Sequence, residues 1–284
     1  MKNSRRQFVK KAGTGLLALG VSSSLPANNL ASVSGEIPNK NKDLFKLAMA
    51  GWTFVKHKLE PSLDMMERVD VHYLCIKDFH LPLSSTPEQI AEFHQKLKAK
   101  GVTGYAVGPI SMKTEADADR AFEYCKRVGV TMVVGVPEHE LLPYIDRKVK
   151  EYGFHFAIHN HGYGDKLYPT LESIYLKVKD LDSRIGMCHD IGYSRLMGID
   201  PVTVTVKYAK RIFDIHIKDV TSATAEGKDC ELGRGIIDFP AFIKVLRKIK
   251  YKGMCSLKYE KDPADPLVGI AESVGYFKGV WNTV

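Results

Sequence analysis

The sequence predicts a single (β/α)8 barrel, and three observations lead to this fold class. Short apolar segments alternate eight times with amphipathic segments of ten or more residues after residue 44, which is typical of a parallel sheet covered by helices. The eight units fit into about 240 residues, a length that suits a closed barrel. An open, doubly wound sheet usually carries a G-x-G-x-x-G fingerprint after its first strand, and this chain has none there.

The alternating segments define each element in turn. The predicted strands cover residues 45–52, 71–78, 102–108, 130–136, 154–159, 184–189, 212–217 and 254–259. The predicted helices cover residues 61–69, 87–99, 115–128, 141–152, 171–180, 201–210, 239–249 and 265–280. Thr86-Pro87-Glu88-Gln89 combines an N-cap, a helix-starting proline and a capping-box glutamine, and Asp200 and Asp238 are further N-caps. Because no linker follows residue 42, we expect residues 43–284 to form one catalytic domain.

Residues 1–32 have the composition of an export signal. The stretch Ser4-Arg5-Arg6-Gln7-Phe8-Val9-Lys10 precedes an apolar run of small residues from Gly13 to Val21, a pattern typical of twin-arginine signals. We therefore expect the twin-arginine export machinery as a partner and a periplasmic location; a basic, disordered N-terminus is the alternative. The apolar run is too short to span a bilayer as a helix, so no stable membrane association is expected.

Charge and cysteine content exclude several classes of protein. The formal net charge is +8, but five basic residues and no acid lie within residues 1–32, which leaves only +3 for the remainder. Later basic residues are scattered, so nucleic acid is not an expected partner. The five cysteines are odd in number and lack C-x-x-C spacing, which favours buried free thiols over a disulfide framework or a cysteine zinc site.

Histidine and acidic side chains are concentrated where the predicted strands end. The carboxyl ends of all strands in a barrel meet at one mouth, so these side chains are expected to converge there. Imidazole and carboxylate ligands without thiolates suit a divalent ion such as Mn²⁺, Mg²⁺, Co²⁺ or Zn²⁺. Asp190, His216 and Glu260 follow consecutive strands, and Glu138 is the fourth candidate ligand, with His159 competing for that place.

Five stretches carry a resemblance to a known family. They are Ile158-His159-Asn160-His161-Gly162, Asp190-Ile191-Gly192-Tyr193, His216-Ile217-Lys218-Asp219, Glu231-Leu232-Gly233-Arg234-Gly235-Ile236-Ile237-Asp238 and Tyr259-Glu260-Lys261-Asp262. In this order they resemble the xylose isomerase-like barrels of the sugar phosphate isomerase/epimerase family, in particular its exported branch. The resemblance implies a divalent ion held by Asp190, His216 and Glu260 together with a further acidic ligand. This chain departs from the family pattern at three positions. Relatives commonly carry a glutamate in place of His159 and a histidine in place of Tyr193. Near the position of Lys258 they commonly carry a glutamate or an apolar residue.

The implied chemistry is removal of a proton from the carbon next to a carbonyl, with the metal ion stabilising the resulting enediolate. The predicted base is His159 or His161, because imidazole titrates near neutral pH, and Glu260 is expected to take part in proton transfer. The side chains expected to hold or polarise the substrate are Lys77, His80, Lys218 and Arg234, with Trp52 beneath a sugar ring.

Several functions remain open on the sequence alone. The primary expectation is a metal-dependent sugar isomerase or epimerase. Elimination from a 3-keto-glycoside by the same site, as in a lyase or dehydratase, is the main alternative. An apurinic endonuclease shares this type of barrel but needs a richer histidine set and a basic DNA track. A periplasmic sugar-binding protein without catalysis is the non-enzyme alternative, and pairing of two copies through the outer helices is open.

Overall fold

The structure, a computed structural model, describes residues 44–284. In this range eight parallel strands close into a barrel, in which each strand pairs with its neighbours and the last pairs with the first. These strands are β1 Lys46–Ala50, β2 Tyr73–Ile76, β3 Thr103–Met112, β4 Met132–Pro137, β5 His155–His159, β6 Ile185–Asp190, β7 Ile212–Ile217 and β10 Met254–Leu257. The predicted barrel is confirmed, whereas the predicted export signal lies outside the described residues.

Two short strands and nine α-helices surround or follow the barrel strands within residues 44–284. The short antiparallel pair consists of β8 Asp219–Val220 and β9 Asp229–Cys230. The helices are α1 Leu59–Arg68, α2 Pro87–Ala99, α3 Glu115–Val128, α4 Leu142–Tyr152, α5 Leu171–Val178, α6 Ile191–Leu196, α7 Pro201–Lys207, α8 Phe239–Lys248 and α9 Leu267–Thr283. None of these helices has the length and apolar character that crossing a membrane requires.

Local sequence explains where the helices begin. Thr86 and Gln89 form the predicted capping box of α2, and Asp200 and Asp238 accept backbone N–H groups at the starts of α7 and α8. Sequence periodicity did not predict α6, because six residues are too few to show a helical repeat. Asp190 begins this helix by accepting the Tyr193 N–H at 3.0 Å.

The interior of the barrel is closed by small side chains. The fully buried residues of this cluster are Cys75, Ala106, Val134, Ala157 and Cys188. A second and larger core lies between the strands and the helices and contains most of the buried aromatic side chains. All five cysteines are buried and free, which confirms the interpretation of the cysteines as buried thiols.

The buried carboxylate of Asp219 organises the loop before α8. Its oxygens accept N–H groups of Val220 at 2.9 Å, Gly233 at 2.9 Å, Gly235 at 3.0 Å and Ile237 at 3.2 Å. A Cβ atom at Gly235 would lie 2.2 Å from Asp219 Oδ1, so this approach requires glycine. One acidic side chain therefore holds the loop against the end of β7.

Replacing Asp219 with alanine is expected to destabilise the protein. The substitution leaves several loop N–H groups without a charged acceptor, so the free energy of unfolding should fall by about 3 kcal/mol. Urea denaturation measures this loss. Asp262→Ala is the control, because Asp262 is exposed and accepts a single backbone N–H at 3.3 Å. Equal losses in the two variants would contradict the organising role of Asp219.

Candidate active site

A cavity of about 260 Å³ opens where the barrel strands end at their carboxyl termini. It holds five of the residues expected from the sequence together with four others. The lining residues are Trp52, Lys77, Pro109, Ser111, His159, His161, Tyr193, Lys258 and Glu260. The cavity is large enough for a small sugar or cyclitol and is walled mostly by polar and aromatic side chains.

Two lysines and three carboxylates form a network that reaches this cavity through Lys258 and Glu260. Lys258 Nζ lies 3.1 Å from Asp190 Oδ2 and 3.3 Å from Glu260 Oε2. Lys218 donates to Glu260 Oε2 and lies 2.9 Å from Asp229 Oδ2. We call these five residues, Asp190, Lys218, Asp229, Lys258 and Glu260, the carboxylate–ammonium network. It joins the ends of β6, β7 and β10.

The members Asp190, Glu260 and Lys258 are charged at neutral pH. Burial alone opposes the charge on Lys258, but Asp190 and Glu260 offset this effect and raise the pKa of its amine. Burial likewise opposes ionisation of Asp190 and Glu260, yet the lysines lower the pKa of both carboxyl groups. The Tyr193 ring adds a cation–π contact, with its centroid 4.3 Å from Lys258 Nζ and 4.5 Å from Lys218 Nζ.

A line of buried histidines continues from this network into the barrel. His159 Nε2 lies 3.6 Å from Asp190 Oδ2 and 3.0 Å from His216 Nδ1, and His216 Nε2 lies 3.7 Å from Asp214 Oδ2. Burial lowers the pKa of His159 well below its ordinary value and that of His216 to about 3. Burial also raises the pKa of Asp214 to about 7. Both imidazoles are therefore neutral at pH 7.

His161 is the more accessible imidazole in the cavity. Its side chain is 32% exposed, whereas that of His159 is 1% exposed. His161 Nδ1 lies 3.2 Å from Asp165 Oδ2, and Asp165 Oδ1 accepts backbone N–H groups that hold it in place. Burial lowers the pKa of His161 despite the opposing effect of Asp165. A neutral imidazole of this kind can accept a proton from a bound molecule.

Trp52 and Lys77, which the sequence analysis expects to bind substrate, both line the cavity. Lys77 Nζ lies 5.6 Å from the centroid of the Trp52 ring. It donates to Pro109 O at 2.8 Å and lies 2.8 Å from Asp78 Oδ1. Trp52 is 38% exposed, which leaves part of its ring open to a ligand.

Six predicted site residues do not line this cavity. Asp190, His216 and Lys218 contact residues that line it, whereas His80, Arg234 and Glu138 have other surroundings. His80 lines a neighbouring cavity, and its Nε2 lies 2.9 Å from His57 O. Arg234 is exposed and its guanidinium pairs with Glu272 on α9. Glu138 follows β4, and its backbone N–H donates to the carbonyl of the last residue of β3. Their predicted roles with substrate or metal stay predictions.

The carboxylate–ammonium network does not fit a divalent ion held by Asp190 and Glu260. The position between these two carboxylates contains an ammonium group, and Asp190 Oδ1 already accepts the N–H of Tyr193. A divalent ion about 4 Å from that ammonium would be repelled by about 8 kcal/mol at the effective dielectric constant of protein interiors. No reaction step is therefore derived through such an ion.

A different set of side chains is a candidate for a softer metal. His159, Cys188 and His216 bring one potential ligand atom each to within 4.8 Å of one another, and all three are buried. Within residues 44–284, Glu138, Asp190, His216 and Glu260 do not form such a group. Histidine and cysteine are typical zinc ligands, although burial raises the pKa of the Cys188 thiol and opposes its deprotonation.

Sequence reasoning did not include Lys258, Tyr193 or Ser111 among the site residues. A signal for Lys258 was present, because Ser256, Lys258 and Glu260 alternate along one strand and its extension. Ser256 and Glu260 face the interior and the cavity, and Lys258 must therefore face the same way. A lysine that alternates with two inward-facing polar or acidic residues on one strand is expected to be buried. A buried ammonium group needs an acidic partner, so this pattern indicates an internal ion pair.

The chain belongs to the xylose isomerase-like TIM barrel family, which matches residues 63–280. It is 31% identical over 137 residues to the rhizopine catabolism protein MocC of Rhizobium meliloti, an alignment covering 42% of each chain. It is 27% identical over 132 residues to an inosose dehydratase of Lacticaseibacillus casei, covering 41% of this chain and 44% of that protein. The matched part therefore spans less than half the length of these curated relatives.

Solved structures share the barrel over most of the chain. A crystal structure of a Parabacteroides distasonis ATCC 8503 protein has a TM-score of 0.67 at 25% identity, covering 83% of this chain and 98% of that one. The IOLI protein with bound zinc has a TM-score of 0.65 at 19% identity, covering 83% and 96%. D-allulose 3-epimerase from Methylomonas sp. has a TM-score of 0.66 at 11% identity, covering 84% and 98%. The last two show likeness of fold alone.

The buried histidine His189 makes stability depend on pH. Its ring lies 3.1 Å from Thr205 Oγ1 and 2.9 Å from Ser194 Oγ, and burial lowers its pKa to about 3. The unfolded chain binds a proton at this histidine below about pH 6.5 and the folded chain does not, so acid favours unfolding. Between pH 7 and pH 5 the wild type should lose about 2 kcal/mol more of its unfolding free energy than His189→Gln.

Urea denaturation at the two pH values measures this difference. The comparison with His189→Gln isolates His189, because other groups such as Asp214 titrate in both proteins. His72→Gln is the control, since His72 has a half-exposed side chain and contacts Asp70 at the surface. The same pH dependence in His189→Gln and in the wild type would contradict the assignment of a neutral, buried His189.

Proposed function

We propose that this protein is a carbohydrate-active enzyme that removes the proton from the carbon next to a carbonyl group. One observation carries the proposal: a neutral, partly exposed His161 lines the same cavity as the buried ammonium group of Lys258. The imidazole can take the proton while cationic donors stabilise the negative oxygen that forms. The named relatives, which include an inosose dehydratase, support a sugar-like substrate.

His161 is a better base than His159 in this cavity. The Nε2 atom of His159 lies 3.0 Å from His216 Nδ1, and its ring is almost fully enclosed. A proton on His161 Nδ1, which faces Asp165, leaves the Nε2 lone pair available for a substrate C–H group. Asp165 would also stabilise the imidazolium after proton transfer.

Elimination fits the site better than epimerisation. Epimerisation needs a proton-transfer group on each face of the substrate, and Glu260 is the second such group that lines the cavity. However, Lys258 and Lys218 lower the pKa of Glu260 and so weaken it as a base. In elimination one imidazole is enough, because it removes the proton and then returns it to the leaving oxygen. Isomerisation or epimerisation by His161 and Glu260 together is the second candidate.

The preferred substrate class is a glycoside oxidised to a ketone at C3. Loss of the C2 proton forms an enediolate, and return of its electron pair breaks the bond from C1 to the aglycone oxygen. The products are an unsaturated keto sugar and the free aglycone. This chemistry needs one cation at the ketone oxygen. The sequence predicts that a divalent ion with Glu138, Asp190, His216 and Glu260 supplies that charge, but such an ion does not fit beside the Lys258 ammonium group.

Product analysis separates these reactions. The full-length protein is incubated in D2O with a 3-keto-glucoside, an inosose and a free ketose, and the products are examined by NMR. Release of the aglycone or of water is the expected result. Formation of a C-epimer with deuterium at the new centre would replace elimination by epimerisation. Binding of these compounds without turnover or exchange would identify a sugar-binding protein and overturn the enzyme assignment.

Substitution of the base is expected to abolish most of the turnover. His161→Gln removes the group that accepts the proton, so kcat should fall by about 10²- to 10⁴-fold while the fold is kept. In the wild type, kcat/KM should stay high down to a pH below about 6.5, because burial lowers the pKa of His161 and only its neutral form is active. His72→Gln, a surface substitution, should leave both quantities unchanged. Unchanged kcat in His161→Gln would exclude His161 as the base.

We also propose export through the twin-arginine machinery to the periplasm, on the pattern of residues 4–21 alone. Replacing Arg5 and Arg6 together with lysine should keep the uncleaved precursor inside the cell. Fractionation and mass measurement of the mature chain test this. Export of the double variant at the wild-type level would contradict the proposal.

A further inference from the structure

The point between Asp190 and Glu260 is occupied by a side chain of the protein itself. Lys258 Nζ lies 3.1 Å from one carboxylate and 3.3 Å from the other, and the lysine is only 5% exposed. The remaining oxygen of Asp190 accepts the N–H of Tyr193 at 3.0 Å. The carboxylates of Asp190 and Glu260 are therefore already paired with a cation that the fold supplies.

The surroundings of this ammonium group are adapted to it. His159, 3.6 Å from Asp190 Oδ2, contributes an imidazole ring to this part of the wall and no further carboxylate. The Tyr193 ring faces both ammonium groups, 4.3 Å from Lys258 Nζ and 4.5 Å from Lys218 Nζ. Aromatic rings attract cations at this distance. The three departures noted in the sequence, at positions 159, 193 and 258, thus meet around a single charge.

We propose that Lys258 is the resident cation of this site and stabilises the enediolate oxygen in place of a divalent metal ion. This inference rests on the proposed function for its catalytic part, but its metal-binding part holds whether or not the substrate class is right. Lys258 lines the cavity beside His161, so its ammonium group can reach a substrate oxygen. Both of its close contacts are ion pairs with carboxylates, so the group acts as a cation and not as a nucleophile.

The reaction balances without any added reagent. His161 takes the proton from the carbon next to the carbonyl, and the C–H electron pair forms the C=C bond of the enediolate. The former carbonyl oxygen becomes negative and accepts a hydrogen bond from the Lys258 ammonium. The electron pair on the oxygen then re-forms the C=O bond, and the C=C pair moves to form the new C=C bond of the product. The bond to the leaving oxygen breaks, and the imidazolium donates its proton to that oxygen.

Metal content tests the position of Lys258 without reference to turnover. The full-length wild type, purified without chelator, should contain less than about 0.1 equivalent of divalent metal by elemental analysis and should not bind Mn²⁺ in calorimetric titration. Lys258→Glu exchanges the ammonium group for a carboxylate next to Asp190 and Glu260, an all-oxygen ligand set that suits Mn²⁺. This variant should bind one equivalent of Mn²⁺ and gain thermal stability from it.

Two further variants keep this test decisive. Lys56→Glu makes the same charge change at an exposed position and should bind no Mn²⁺, so binding by both glutamate variants would overturn the inference. If Lys258→Glu does not fold, Lys258→Met replaces it, and its melting temperature should be lower than that of the wild type and rise with Mn²⁺. Stoichiometric metal in the wild type that Asp190→Asn releases would also overturn the inference.

Kinetics test the catalytic part with the substrate found by product analysis. Turnover by the wild type should be unaffected by a chelator. Lys258→Met should lower kcat by about 10²- to 10³-fold with a smaller change in KM, as expected for loss of an oxyanion donor. Lys258→Arg should recover part of kcat because it restores the charge. Loss of wild-type turnover with the chelator, and its recovery on adding Mn²⁺ or Zn²⁺, would overturn the inference. Absence of turnover together with the expected metal results would overturn only the proposed reaction.

Discussion

Pairing of buried charges at the barrel mouth is the constraint on which the arrangement of the site depends. Asp190 lies at the end of β6 and Lys258 follows β10, so their ion pair crosses the intervening strand β7. A charged group without a partner in such a place would be destabilising by several kcal/mol. The carboxylates therefore fix where the ammonium groups lie, and the Tyr193 ring packs against both of these groups.

The buried histidines extend this constraint into the barrel. His159 and His216 bridge the distance between the charged mouth and Asp214, which also accepts the hydroxyl of Tyr105 at 2.9 Å. Because both imidazoles are neutral, His159 and His216 add no charge to the ion pairs at the barrel mouth. A chain of polar groups that is packed on all sides has little freedom to move. Proton transfer then falls to His161, which lies at the open end of the site.

Much of the fold follows from short-range patterns in the sequence. The alternation of apolar and amphipathic segments was enough to locate all eight barrel strands, and cap residues such as Thr86 and Asp238 marked helix starts correctly. The helix α6 was missed because Ile191–Leu196 makes fewer than two turns. Its presence matters to the site, since it makes Asp190 an N-cap as well as an ion-pair partner.

The site itself was only partly predictable. Strand ends indicated which residues face the mouth, and His159, His161 and Glu260 do line one cavity. The pattern could not show that a lysine fills the gap between two acids, because that depends on depth and on contacts between residues far apart in the chain. Arg234 shows the same limit for a residue that was expected to bind substrate. Asp219 holds the loop of Arg234 against the end of β7, but the guanidinium pairs with Glu272 on α9.

The state of the five thiols has a consequence for where this barrel can work. Burial raises the pKa of every cysteine in the chain, to about 11 for Cys230, to about 12 for Cys125, and well above the ordinary value for Cys75, Cys188 and Cys255. Oxidants and disulfide exchange act on thiolates, so protonated and enclosed sulfur atoms react slowly. These five thiols are therefore expected to stay free in oxidising as well as in reducing surroundings.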